Sequence, residues 1–226
     1  MTAGSGERPA VRLGHAMAAA FAVGSVGFVL GPFPGYIDLV GPQADALTFF
    51  VASLFFTAGG TLQTVLAAPG RDEPGAGRAA WWAATVQWVG TLSFNVTTFR
   101  ALLVTLDDPL YDRLVWRPDA VGSVCFLVSG AIAYRASARH GLLPVRQGRG
   151  WWQPGVNLLG CILFGIAAVA GYVVPGTGSM LDLAAANWTT AAGALCFLAC
   201  AVAGLLPRAG TATDQAEPGR AQRRSP

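Results

Sequence analysis

Residues 81–94 have the sequence WWAATVQWVGTLSF, and residues 151–164 have the sequence WWQPGVNLLGCILF. The two stretches align without a gap at an offset of 70 residues. Five positions carry the same residue in both stretches, and in the first stretch they are Trp81, Trp82, Val86, Gly90 and Phe94. Repetition at a fixed period indicates a chain that is built from copies of one structural unit.

Shorter echoes of this period occur elsewhere in the chain. Residues 23–28 match residues 89–94, while residues 52–56, 122–126 and 193–197 share a Phe-ending pattern at offsets of 70 and 71 residues. Two independent series therefore have nearly the same spacing. The predicted unit is a helical hairpin, and its three copies cover residues 13–67, 80–134 and 151–206. Because each copy contains two spans, all copies enter the membrane in the same direction, as parallel repeats do.

Composition places these hairpins in a membrane. The chain is 53% hydrophobic and only 12% charged, whereas soluble domains carry about 25% charged residues. Apolar stretches of roughly 18 to 25 residues have the length needed to cross about 30 Å of hydrocarbon as helices. We therefore predict an all-α, polytopic integral membrane protein with six transmembrane helices. The predicted spans are Leu13–Leu30, Ala46–Ala67, Ala80–Val104, Ala120–Tyr134, Pro154–Val174 and Leu183–Leu206.

The distribution of arginine predicts the orientation. Twelve arginines lie on the side of the N-terminus and three, Arg100, Arg113 and Arg117, on the other side, where aspartates such as Asp45 and Asp119 are common. Arginines near spans stay in the cytoplasm. We expect a bacterial plasma (inner) membrane protein with both termini cytoplasmic. Residues 1–12 form the N-terminal tail, and residues 207–226 form a disordered C-terminal tail.

The sequence also resembles a known family. The stretches at residues 49–57 (FFVASLFFT), 86–98 (VQWVGTLSFNVTT) and 114–123 (LVWRPDAVGS) are similar to those of small bacterial membrane proteins with YrhK-like domains. The resemblance covers nearly the whole chain except its two tails. It implies a two-span hairpin containing a Gly-Ser helix. It implies no activity, because no function is established for the family.

Polar residues within the predicted spans are the candidates for a site. Gln87 and Asn157 occupy equivalent repeat positions, Asn95 lies further along the same span as Gln87, and Gln63 lies in the second span. Intramembrane polar groups face the protein interior, so these residues either line a polar path or hydrogen-bond between helices as packing contacts. Asn95 lies where the copies differ, and with Gln63 and Gln87 it is the leading candidate for a polar cavity. The alternative for Asn95 is a hydrogen bond to a neighbouring helix.

Aromatic residues mark the membrane boundaries. The pairs Trp81-Trp82 and Trp151-Trp152 begin equivalent spans and are predicted to be interface anchors, since indoles prefer the headgroup region. The segment 107–119 combines four aspartates with Tyr111 and Trp116. It is interpreted as an interfacial helix rather than as a calcium or acid-base site.

No residue pattern predicts catalysis or a cofactor. The four cysteines lie within apolar stretches and are interpreted as packing residues, and the chain lacks nucleotide-binding and hydrolase motifs. We expect no catalytic residue, no metal site and no cofactor. The expected partners are the lipid bilayer and either another protein or a second copy of the chain, without nucleic acid. The favoured role is structural, interaction-based or regulatory. A channel or facilitative transporter for a small solute is the alternative, and a membrane enzyme subunit ranks lower.

Overall fold

The computed structural model describes residues 9–33, 35–68, 76–106, 108–138 and 150–206. Within these ranges the protein is almost entirely helical. The helices are α1 (Pro9–Leu30), α2 (Tyr36–Val40), α3 (Pro42–Leu66), α4 (Ala76–Ala101), α5 (Arg117–Ala138), α6 (Gln153–Ala170) and α7 (Leu183–Leu205). A π-helical segment, Asp112–Trp116, leads directly into α5. The predicted C-terminal tail and most of the predicted N-terminal tail lie outside the described residues.

Local sequence explains where several helices begin. Gly35 and Gly41 flank α2 at φ values of 85° and 84°, a left-handed conformation that glycine adopts without strain. Pro42 then occupies the first turn of α3, where its missing N–H is no loss. At the start of α7, the Asp182 carboxylate accepts a hydrogen bond of 2.9 Å from the Ala185 N–H.

The six long helices pack as a closed ring. Consecutive neighbours are α1 and α3, α3 and α4, α4 and α5, α5 and α6, and α6 and α7, and the ring closes between α7 and α1. Each long helix therefore has one neighbour on either side. The short helix α2 packs on α3.

One phenylalanine from each long helix fills the centre of the ring. We call this set the phenylalanine layer, and its members are Phe28, Phe56, Phe94, Phe126, Phe164 and Phe197. Ring centroids within the three hairpins are 5.5, 5.0 and 5.4 Å apart. Contacts between hairpins are similar, for example 5.8 Å between Phe126 and Phe197. All six side chains are at most 5% exposed.

Glycine allows the paired helices to approach at this level. A Cβ atom placed on Gly90 would lie 2.7 Å from the Phe126 ring and 3.0 Å from the Gly122 carbonyl oxygen. At the aligned position of the third hairpin, a Cβ atom on Gly160 would lie 2.9 Å from the Phe197 ring. At these places even a methyl group would collide with a buried ring, so the close contact requires glycine.

Five of the helices are long and apolar enough to cross a membrane: α1, α3, α6, α7 and the continuous helix Asp112–Ala138. The sixth predicted span, Ala80–Val104, is also helical as α4 but is not among the five. Its lower apolarity arises from residues such as Gln87 and Thr91, whose side chains are buried in the ring. The protein is thus an all-helical, multi-pass membrane protein by the length and apolarity of its helices.

Each predicted span differs from the observed helix by a few residues at one end or both, and two of them need comment. The fifth was predicted to continue to Val174, but α6 ends at Ala170, and Val173–Val174 pairs with Ser179–Met180 in a small antiparallel hairpin. Adjacent β-branched valines followed by Pro175 and Gly176 favour this turn over a helix. The fourth, predicted as Ala120–Tyr134, is longer at both ends: the π-helical segment Asp112–Trp116 leads into it, and α5 continues to Ala138.

Candidate functional site

Two cavities lie at opposite ends of the ring. The wide cavity, of about 640 Å³, lies at the end where the two helices of each hairpin are joined. The narrow cavity, of about 190 Å³, lies at the end that carries the start of α4 and α6. A volume of about 300–1,000 Å³ is typical of small-molecule sites. The wide cavity therefore has the size of a ligand pocket.

The phenylalanine layer separates the two cavities. Along α4, Gln87 lines the narrow cavity, Phe94 belongs to the layer, and Thr97 lines the wide cavity. The same order occurs on α6. In the antiparallel α5 the order is reversed, with Asp119 on the wide cavity and Ser129 on the narrow one. The barrier between the cavities is therefore one layer of packed rings.

Two carboxylates line the wide cavity. Asp45 lies in the first turn of α3, and its Oδ1 atom is buried without a hydrogen-bond partner. Asp119 lies in the first turn of α5, is partly buried and lines the cavity. Within the described ranges Asp119 has no hydrogen-bond or ion-pair partner. An unpaired carboxylate away from water is costly, so both groups are prepared to accept a partner.

Tyr111 lies beside Asp119 at the rim of the wide cavity. Burial, and to a smaller extent the negative charge of Asp119, raise the pKa of Tyr111 to about 12. The phenol therefore stays neutral at physiological pH and keeps its O–H as a donor.

The other polar groups of the wide cavity are mostly bonded within the protein. Thr97 donates to the Val115 carbonyl oxygen at 3.1 Å, and Thr98 donates to the Phe94 carbonyl oxygen at 2.8 Å. These hydroxyls are occupied in holding α4 in the ring. The Phe28, Phe94 and Phe164 rings form the floor, so the cavity is mostly apolar with two free carboxylates.

Three of the four polar residues predicted from the sequence meet in the narrow cavity: Gln63, Gln87 and Asn157. Gln153 and Ser129, which the sequence did not single out, line it too. The Ser129 hydroxyl lies 2.7 Å from the Ala83 carbonyl oxygen and 3.2 Å from Gln87 Oε1. The Oε1 atom of Gln63 is buried and has no partner. This end of the ring is therefore lined by side-chain amides.

Asn95 lines neither cavity. Its Nδ2 atom donates a hydrogen bond of 2.9 Å to Thr57 Oγ1 on α3, which is the interhelical contact that the sequence offered as the alternative. Its Oδ1 atom is buried and unpartnered. The site expected around Asn95, Gln63 and Gln87 is thus divided: the two glutamines share a cavity, and Asn95 lies between α3 and α4.

The predicted tryptophan anchors lie near the helix starts at the narrow-cavity end. Trp81 and Trp82 are in edge-to-face contact at 5.0 Å, and Trp82 is 51% exposed. Trp151 is also exposed, while Trp152 is partly buried immediately before α6. The Nε1 atom of Trp116 donates a hydrogen bond of 2.8 Å to the Ala168 carbonyl oxygen on α6.

The described residues contain no group of three or more metal-ligand side chains. All four cysteines are free thiols.

Sequence reasoning overlooked the wide cavity, since it placed Asp45 and Asp119 among the loop acids. The only signal was that Asp45 and Asp119 each lie in the first turn of an apolar helix, and that this turn already faces the interior of the ring.

No model of a protein family, no curated protein sequence and no solved structure matches the chain.

Proposed function

We propose that the protein is a six-span carrier that lets a small solute cross a bacterial inner membrane. The observation that carries this proposal is the pair of cavities at opposite ends of the ring, separated by the phenylalanine layer. Carriers bind solutes near the middle of the membrane and open alternately to either side. The described conformation is closed between the cavities.

The faces of α4 support its assignment as the sixth span. Its 26 residues would extend about 39 Å as an α-helix, more than the hydrocarbon thickness of about 30 Å. Val89, Val96 and Phe99 on its outer face are 43 to 48% exposed, while Gln87 and Thr91 point inward. Apolar residues toward lipid and polar residues toward the bundle are what a spanning helix requires.

Equivalent positions around the cavity support the three-hairpin repeat. In the alignment of the hairpins, Phe49 corresponds to Asp119 and Thr190, and all three line the wide cavity. Gly31, Thr97 and Ala167 form a second such set. The repeat also agrees with the resemblance to YrhK-like domains, which we retain as part of the proposal.

Arginine placement supports the orientation. Because the sequence assigns twelve arginines to the side of the N-terminus, where α1 begins, the narrow-cavity end would face the cytoplasm and the wide cavity would open outward. Both termini would then be cytoplasmic.

The phenylalanine layer would act as the gate. Apolar constrictions close a pathway because water does not enter them. Gln87 and Thr97 are ten residues apart on α4, about 15 Å along the helix, so the dry part of the path is short. A modest movement of two or three rings would connect the cavities.

Flux into proteoliposomes tests this proposal. Purified protein would be reconstituted and challenged with neutral, cationic and anionic solutes, with empty liposomes as the blank. Phe164→Ala, which removes a ring shared by the layer and the cavity floor, should raise the flux of a permeant solute severalfold. Phe55→Ala, on a 40% exposed side chain, is the matched control.

Absence of flux would count against transport. If folded wild-type protein and the Phe164→Ala variant both pass no solute of the panel, the carrier proposal fails. The structural, interaction-based or regulatory role predicted from the sequence then becomes the better explanation.

A further inference from the structure

We infer that the wide cavity binds an organic cation, specifically an amine or ammonium group on a small apolar body. This inference deepens the proposed function by naming the class of solute. Only one part of the inference rests on the proposed function, namely that the bound molecule is also transported. Binding itself can be measured without flux.

The charges around the cavity favour a cation. Asp45 and Asp119 line it, and no described arginine does. The arginines at this end point elsewhere: Arg117 pairs with Asp112 at 2.9 Å, and the Arg100 and Arg113 side chains are exposed. The lining thus contains two acidic side chains and no described cationic side chain that would pair with them.

The two carboxylates are available for contact with a ligand. Asp119 is partly buried, lines the cavity and has no hydrogen-bond or ion-pair partner among the described side chains. Asp45 has a buried, unpartnered oxygen on the same cavity. A charge-assisted hydrogen bond from an ammonium group would satisfy such an oxygen, and in a site shielded from water this bond is strong.

The rest of the lining favours an apolar body. The floor consists of the Phe28, Phe94 and Phe164 rings, and Phe49 and Val115 form part of the wall. Aromatic faces also attract cations that lie within about 6 Å of the ring centre. A metal ion would use neither feature, since hard cations require several converging oxygen ligands.

Differences between the hairpins would fix the orientation of the ligand. Asp119, Phe49 and Thr190 occupy equivalent positions, so at this level of the cavity only one hairpin provides a charge. The amide of Asn187 lines the cavity near α7. A bound amine would therefore direct its charge toward α5 and its apolar end toward the phenylalanine floor.

A matched series of probes tests the inference. The full chain would be placed in lipid nanodiscs and titrated calorimetrically with 4-phenylbutylamine, 4-phenylbutanol and 4-phenylbutyrate, and the heats from empty nanodiscs would be subtracted. The amine should bind at least about tenfold more tightly than the alcohol, as expected for one buried charge-assisted hydrogen bond. The carboxylate should show no binding.

Variants locate the binding. Asp119→Asn should weaken amine binding about tenfold and leave alcohol binding unchanged, while Asp119→Glu should keep the preference for the amine. Asp38→Asn is the control, because Asp38 is an exposed carboxylate at the same end and lies outside the cavity lining. If Asp119→Asn does not fold, Asp45→Asn provides the same test.

Two results would overturn the inference. One is equal affinity for the amine and the alcohol, and the other is amine binding that survives removal of both carboxylates. Amine binding without flux of any solute would refute the carrier proposal and leave this site intact. Flux of neutral solutes without amine binding would refute the site and leave the carrier.

Discussion

Phe126→Ala should destabilise the protein more than any single change at its lipid-facing surface. Phe126 is 1% exposed, and its ring lies 5.0 Å from that of Phe94 and 5.8 Å from that of Phe197, both nearly perpendicular. In a membrane protein the unfolded chain keeps its side chains in an apolar medium. The cost is therefore lost packing and not transfer to water.

The magnitude follows from the volume removed. Phe→Ala deletes about 100 Å³, and at about 24 cal/mol per Å³ of residual cavity this corresponds to about 2.4 kcal/mol. Two edge-to-face ring pairs contribute about 0.5–1.5 kcal/mol each. The expected loss of unfolding free energy is therefore about 3–5 kcal/mol.

Reversible unfolding in mixed micelles, titrated with sodium dodecyl sulfate and followed by circular dichroism, measures this loss. Phe55→Ala is the control: its side chain is 40% exposed, so lipid or detergent replaces it, and the change should stay within about 0.5 kcal/mol. A Phe126→Ala cost below about 1 kcal/mol, or one equal to that of Phe55→Ala, would refute the interpretation of the layer as a packed centre.

Three further predictions concern other parts of the chain. Asn95→Ala should cost only about 0.6 kcal/mol, the average for an interhelical hydrogen bond in a membrane, and should leave flux unchanged; lost flux at unchanged stability would instead make Asn95 functional. In a spectrophotometric titration, the difference between wild type and Tyr111→Phe should show a phenol that ionises near pH 12. This pKa lies above the value of 10 in the unfolded chain, so the contribution of Tyr111 to folding stability is full below pH 10 and is lost as the pH rises toward 12. A titration midpoint of the phenol near pH 10 would contradict its burial. A cysteine placed at Gly176, in a background without native cysteines, should react with an impermeant reagent on intact cells, and labelling only after permeabilisation would reverse the proposed orientation.

The positions of the helices were predictable because the chain marks them with large signals. Apolar length, helix-breaking loops and the recurring Gly90 and Phe94 pattern predicted a helix at each of the six places where the structure has a long helix, but not the short helix α2. The recurring Phe and Gly also lie at the centre of the helix ring, where a glycine on one helix contacts the phenylalanine side chain of the partner helix.

The wide cavity was not predictable by the same reasoning. Which residues face the interior depends on how each helix is rotated, and helices that are apolar on both faces give little periodic signal. Asp119 in the first turn of α5 therefore could not be distinguished from a loop acid, although it lines the cavity. Polarity alone was also insufficient, since Asn95 turns toward α3 while Gln87 turns toward the narrow cavity.

The contrast between the layer and the cavity lining indicates where function resides. Six phenylalanines repeat at aligned positions, because every hairpin must fill the same share of the centre. The aligned positions that lie further toward the wide cavity carry unlike side chains, such as Phe49, Asp119 and Thr190. Packing alone does not require this difference between the hairpins. Packing would also favour an apolar side chain over a carboxylate at this position, because an apolar side chain avoids the cost of desolvation. The position of Asp119 on a ligand-sized cavity therefore supports the proposed cation site more than a packing role.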